Sequence, residues 1–304
     1  MAGCCLAAAA RVWAHDGPEH EIEELTERLK KEGESADLLL QRAIEYNVLG
    51  KATEAAKDLE RALEFDANSV TAQRELSRTY FTLGKTNEAL DTVNRALKRP
   101  SEGSERGSLL IVRAEILRAR SDNQKAFEDA DRAIREHPDN VEWYLLRSQL
   151  QARLKLKKER IKGLADGVKE TGSGVLETEW IEALIEDGQH ARALEKIESE
   201  LQSSRVQSSW LIRRAKVRLA AGRKEDARKD LEAALVELNH RIHATSPDPS
   251  LLADRGLAHE LLSHREDAIK DYELARDKGL TDDWLRERLR ALKKADEAEK
   301  EAKK

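Results

Sequence analysis

Two cysteines, five prolines and an aromatic content of 4% in 304 residues leave several protein classes without their raw material. Both cysteines, Cys4 and Cys5, lie in the first five residues, so the rest of the chain holds no disulfide framework, thiolate metal site or cysteine nucleophile. The shortage of Trp, Tyr and Phe argues against a deep aromatic-lined pocket for a small molecule. No stretch reaches the roughly 18 apolar residues of a membrane-spanning helix. Neither charge predominates: Lys plus Arg is 54, Asp plus Glu is 59, and the net charge is −5. That balance is unlike the strongly basic surface of a nucleic-acid binder. There is no Gly-rich phosphate loop, no Gly-x-Ser-x-Gly elbow and no His-Glu-x-x-His pair. Carboxylates sit among Lys and Arg at helical spacing, as on solvated faces. The sequence therefore predicts no enzyme and no cofactor.

What remains is a helix-forming composition, rich in Ala, Leu, Glu, Lys and Arg, with 39% hydrophobic residues recurring regularly enough to be buried. The recurrence has a period. Tyr46, Gly50, Ala55, Leu59, Ala62 and Leu63 have counterparts 34 residues later at Tyr80, Gly84, Ala89, Val93, Ala96 and Leu97. The pattern continues through Leu117, Ala126, Ala130, Ala133, Ile134 and Pro138, then Gly188, Ala193, Ile197 and Leu201. Gly222, Ala227, Leu231, Ala234 and Leu235 follow, and then Ala268, Tyr272 and Ala275.

These residues resemble the tetratricopeptide repeat family. The resemblance implies an all-α, right-handed superhelical solenoid of about seven helix-turn-helix units with N- and C-terminal capping helices. In such a unit the small residues let two helices approach, and Gly50, Gly84, Gly188 and Gly222 close the first helix. Neither helix buries its apolar face alone, so neighbouring units must stack. All five prolines fall between predicted helices or at a helix start.

Seven units are placed at 36–69, 70–103, 107–140, 141–173, 174–207, 208–241 and 249–282. The fourth departs from the pattern, with Lys155, Arg160 and Gly167 where Gly, Ala and Ala are expected. Two insertions interrupt the period: a polar loop around Ser104–Arg106, and residues 242–248, which are expected to lengthen a helix because Leu231, Leu235, Leu238 and Ile242 keep helical spacing. Residues 15–35 form an arm and capping helix, with Asp16 as N-cap, Pro18 in the first turn, and Ile22, Leu25 and Leu29 on one face. Residues 283–304 form a charged helix with an apolar stripe of Trp284, Leu285, Leu289 and Leu292.

The resemblance further implies a non-enzymatic scaffold that binds a peptide or partner protein in a concave groove. The groove positions of successive units are Arg74, Arg78 and Phe81, then Ile111, Glu115 and Arg118, then Leu145, Gln149 and Arg153. Glu182, Ile185, Glu186, Ile212, Lys216 and Leu219 continue the series. Stacking is expected to align Arg74, Arg78, Arg118 and Arg153 into a basic stripe that attracts carboxylates. Family members that grip the C-terminal carboxylate of chaperone tails use Lys at the fifth and Asn at the ninth position of one unit. Here those positions hold Leu40 and Ile44, or Arg74 and Arg78, so that partner is not supported.

The first 14 residues are small and apolar and end in Val12-Trp13-Ala14, the small-x-Ala form of a signal-peptidase site. They are expected to be a signal segment, whole or truncated, which places the mature chain in the periplasm or outside the cell; a cytoplasmic location is the alternative. Ala2-Gly3-Cys4 also matches the end of a lipoprotein box, which would tether the chain instead. Cleavage after Ala14 would expose His15, whose amine and imidazole could chelate copper with His20 as a third ligand. A metal-handling protein and an accessory subunit of an enzyme or envelope complex are the rival readings.

Overall fold

The structure, a computed structural model, describes residues 17–302. Among them are sixteen α-helices and no strand. Asp16, His15 and the signal segment lie outside the described residues. The helices are α1 (Pro18–Glu32), α2 (Ala36–Val48), α3 (Ala52–Phe65), α4 (Val70–Thr82), α5 (Thr86–Leu97), α6 (Gly103–Ala119), α7 (Asn123–Glu136) and α8 (Val141–Arg153). They continue with α9 (Lys157–Thr171), α10 (Gly174–Glu186), α11 (His190–Ser203), α12 (Ser208–Ala220), α13 (Lys224–Arg241), α14 (Pro249–Leu261), α15 (Arg265–Asp277) and α16 (Asp283–Ala302). They fall into two compact units, one up to Glu177 and one from Thr178, with the boundary inside α10.

In both units the helices form antiparallel pairs, and all but the fourth pair cross at alanine. Ala55, Ala62, Ala89, Ala96, Ala126 and Ala133 in the first unit, and Ala193, Ala227, Ala234, Ala268 and Ala275 in the second, are at most 1% exposed. A methyl group is the largest side chain such a backbone approach tolerates, and bulkier residues fill the gaps between crossings. Leu59, Val93, Ile197, Leu231 and Tyr272 occupy those gaps and are equally buried.

One backbone device closes every first helix. Gly50, Gly84, Gly188 and Gly222 have φ of 71–75°. Where glycine is missing, Ser121, Lys155 and Ser263 take φ of 64°, 60° and 65° at the same place. The left-handed turn is thus imposed by the pairing of the helices, and three pairs adopt it with a residue that has a Cβ, at a cost of about 1 kcal/mol each.

A second device is ionic. Arg42, Arg113, Arg214 and Arg255, each at the seventh position of its unit, grip Asp58, Asp129, Asp230 and Asp271, sixteen residues on, with two bonds of 2.6–3.1 Å. The remaining amino group reaches back to the preceding helix: Thr26 for Arg42, Asn94 for Arg113, Glu198 for Arg214 and Asn239 for Arg255. Each guanidinium therefore fixes three helices in register. The other units fill the same two positions differently. The second has Leu76 and Thr92, both buried, and the fifth places Lys196 over the Trp180 ring at 4.6 Å.

The irregular fourth unit follows the same logic. Arg147 finds no carboxylate sixteen residues on; it donates to the Gly163 carbonyl at 3.0 Å and to Asp131 at 3.1 Å. A Cβ on Gly163 would sit 2.8 Å from that guanidinium. Arg160, buried where alanine is usual, donates to Ser148 at 3.0 Å. Gly167 yields its volume to Tyr144, whose ring a Cβ would meet at 2.6 Å.

Both insertions differ in detail from expectation. Ser104–Arg106 is helical and gives α6 an extra turn at its start, because Glu102 begins the helix and its first turn carries Glu105 at the positive end. Residues 242–248 do not extend α13, which ends at Arg241, although Ile242 packs against its core as expected. Leu25 and Leu29 of α1 are buried against Leu38, Leu39 and Ala62. In α16, Leu285 and Leu289 are buried, and Trp284 stands edge-on to Tyr272 at 5.7 Å.

Candidate functional site

The positions expected to form a groove lie on the first helices of the pairs, and they do not behave alike. Ile111 is 5% exposed and Ile212 3%, so both are core residues and offer no surface to a ligand. Phe81 is half-buried against the core around Val93 and Ile116. Glu182 and Lys216 are brought together at 2.6 Å, and Arg213 joins them 3.0 Å from Glu182, so their charges are mutually satisfied. Arg118 donates to Gln149 at 3.0 Å. Arg74 pairs with its neighbour Glu75 at 2.8 Å. Glu115 and Leu145 are half-buried, and Arg78 and Arg153 are exposed with no bonded partner among the described residues. Much of this face is thus spent on tying neighbouring helices together.

A cleft of about 900 Å³ lies elsewhere, between α5, α6 and α7. Its chemistry is cationic: Arg95, Lys98, Arg106, Arg113 and Arg132 line it, against the carboxylates of Glu88 and Asp91. Arg113 is committed to Asp129 and Asn94. Arg106 stands 3.7 Å from Glu136, too far for a hydrogen bond. Arg95 reaches only the Asp91 carbonyl and the Thr92 hydroxyl, both at 3.4 Å. Lys98 and Arg132 are exposed and have no bonded partner among the described residues. Leu97, Leu110 and Tyr80 supply the apolar part of the wall. Tyr80 donates to Glu60 at 2.9 Å, and burial with that carboxylate pushes its pKa up to about 12, so it stays a neutral donor.

Two departures from the regular repeat shape this cleft. The extra turn of α6 carries Arg106 to its rim. The unit bearing α5 has Thr92 where others have an aspartate, so the cleft loses a carboxylate that would have neutralised it. A recess of about 200 Å³ shares Thr92 and Arg95 and adds Arg99. None of these cations is among the groove positions expected from the sequence, because they sit mainly on second helices, where charge at helical spacing reads as a solvated face.

Of the histidines considered as copper ligands, His15 lies outside the described residues and His20 is exposed, as are His240 near the end of α13 and His243 just after it. No helix among the described residues is long and apolar enough to cross a membrane.

Residues 40–105 match a family model described as tetratricopeptide repeat. Among solved structures, a tetratricopeptide repeat protein from Parabacteroides merdae is 17% identical, with a TM-score of 0.57 over 90% of this chain and 99% of that one. Yeast Tom70 is also 17% identical, with a TM-score of 0.57 over 94% of this chain and 60% of that one. Likeness at this identity shows the fold. No curated protein matches the chain significantly.

Proposed function

Since the chain is a tetratricopeptide-repeat protein, with the helix-pair architecture that family uses for interactions between proteins, we propose that it is a non-enzymatic scaffold that holds an acidic segment of a partner protein. The observation that carries this reading is the cleft between α5, α6 and α7, where Arg95, Lys98 and Arg132 have no carboxylate partner. A guanidinium fork binds a carboxylate through two parallel bonds, and the walls of a cleft shield such bonds from solvent. The face of first helices bearing Arg78 and Arg153 is the second candidate surface for the same partner. Export follows as a proposal from residues 1–14 alone, and N-terminal sequencing of the mature protein tests it.

Fluorescence anisotropy with a labelled oligo-glutamate peptide tests the cleft. Arg95→Glu with Lys98→Glu should weaken binding at least ~10-fold, about 1.4 kcal/mol, with helicity and melting temperature almost unchanged. Salt should weaken wild-type binding in parallel. Binding that survives this reversal but is lost on Arg78→Glu with Arg118→Glu would move the site to the first helices. Binding insensitive to both would refute an acidic ligand.

A further inference from the structure

The last helix pair differs from the others at one point that its scaffold role does not use. The eleventh, sixteenth and nineteenth positions of each unit flank the junction of its two helices. In the first two units they hold Tyr, Lys and Glu: Tyr46, Lys51 and Glu54, then Tyr80, Lys85 and Glu88. In the sixth they hold Arg218, Arg223 and Asp226, and Arg223 pairs with Asp226 at 2.7 Å. In the seventh they hold His259, His264 and Asp267, one donor atom of each lying within 4.8 Å of the others. The position that elsewhere carries an aromatic or ionic contact here carries two imidazoles and a carboxylate.

We propose that His259, His264 and Asp267 form a binding site for a borderline transition-metal cation, with Zn²⁺ the first candidate, which clips α14 to α15. The donor set is that of an open zinc site: two neutral nitrogens, one carboxylate oxygen and room for water at the fourth position. A second observation points to a ligand. The Nδ1 of His259 is shielded from solvent and has no hydrogen-bond partner, an uncommon state for a buried ring nitrogen. The other ring nitrogen, Nε2, lies 4.0 Å from Oδ2 of Asp271, beyond hydrogen-bonding distance, and that carboxylate is already gripped by Arg255.

The geometry also says how the site is assembled. His264 is the N-cap of α15, and its ring faces that of His259 with centroids 5.7 Å apart. Tetrahedral zinc ligands at 2.0–2.2 Å stand roughly 3.4 Å from one another. The donors, up to 4.8 Å apart, must therefore close by up to about 1.4 Å, which the exposed side chains of His264 and Asp267 can do by rotation. The competing contact is weak, since Lys270 reaches Asp267 at 3.4 Å on the surface. Two imidazoles and a single carboxylate suit a borderline ion such as Zn²⁺ better than Mg²⁺ or Ca²⁺, which rely on oxygen donors.

Zinc titration by calorimetry on the full chain tests the site, with melting temperature recorded on the same samples. Wild type should bind one Zn²⁺ at this site and melt at a higher temperature with zinc, because the ion ties two helices of the folded state. His264→Gln and, separately, Asp267→Asn, both exposed substitutions, should weaken that event at least ~10-fold and remove the zinc-dependent melting shift. His20→Gln combined with His240→Gln and His243→Gln should leave it in place. Cobalt substitution should give the visible absorption of a tetrahedral nitrogen–oxygen site, lost in His264→Gln. Zinc binding unchanged in His264→Gln, zinc binding lost in the triple variant, or no saturable binding to wild type would each overturn the proposal.

Discussion

If Arg42 and Asp58 hold three helices in register, then removing one partner must cost far more than removing both. Asp58 accepts from Nε and the second amino group of Arg42 at 2.7 and 2.8 Å, and the two side chains are only 18% and 11% exposed. Asp58→Ala would leave the guanidinium half-buried with Thr26 as its remaining bonded partner. Breaking a fully buried pair in this way costs about 3–5 kcal/mol; the water that reaches Arg42 reduces the expectation to roughly 2–3 kcal/mol. The second helix pair supplies the control, because it fills the same two positions with Leu76 and Thr92 and buries both. Arg42→Leu with Asp58→Thr should therefore return stability to within about 1 kcal/mol of wild type. Urea denaturation followed by circular dichroism measures Asp58→Ala and the cycle of wild type, Arg42→Leu, Asp58→Thr and the double variant, and an unchanged slope of free energy against urea keeps the comparison on one transition. A cost below ~0.5 kcal/mol for Asp58→Ala, or a double variant as unstable as the two single losses added together, would refute the clamp as a determinant of register.

Three further outcomes follow from the same packing. Ala55 is fully buried where two helices cross, so Ala55→Leu should destabilise by roughly 1–3 kcal/mol, whereas Ala298→Leu on the exposed face of α16 should be nearly silent in the same urea assay. Ser263→Gly should raise stability by up to ~1 kcal/mol by relieving a side chain held at φ 65°, and a loss would mean that the hydroxyl contributes more than the strain costs. Burial raises the pKa of Asp254 above 3.8, with Arg213 and Arg241 opposing and Asp248 reinforcing. The unfolded chain ionises this group first, so stability falls as pH rises from 3.8 through the folded pKa, and the penalty is fully present above it. Asp254→Asn should accordingly melt higher than wild type at neutral pH, with the gain vanishing as pH falls towards 3.8; a gain that does not shrink would assign the effect to something other than ionisation.

The period of small and apolar residues was enough to determine the helix pairs, since Ala55 and Ala89, and likewise Ala62 and Ala96, stand at 34-residue spacing where backbones meet. It also located the closing turn, even where Ser121, Lys155 and Ser263 replace glycine, because the spacing survives the substitution. The stripe of Leu285 and Leu289 likewise revealed the inner face of α16. Charged residues were different. A single sequence offers the same reading for an arginine in solvent, one clamped on an aspartate and one facing a cleft. Arg113, Arg95 and Arg118 illustrate the three-fold ambiguity: the first grips Asp129, the second lines the cation-rich cleft, and the third bridges to Gln149. The sixteen-residue recurrence of Arg and Asp was present in the sequence, but its meaning depends on two helices lying antiparallel at bonding distance. The cleft between α5, α6 and α7, and the meeting of His259, His264 and Asp267 at a helix junction, are likewise products of tertiary structure. Apolar periodicity is legible along a chain because burial is a property of one face of one helix, whereas the work a charge does is set by which other charges the fold brings beside it.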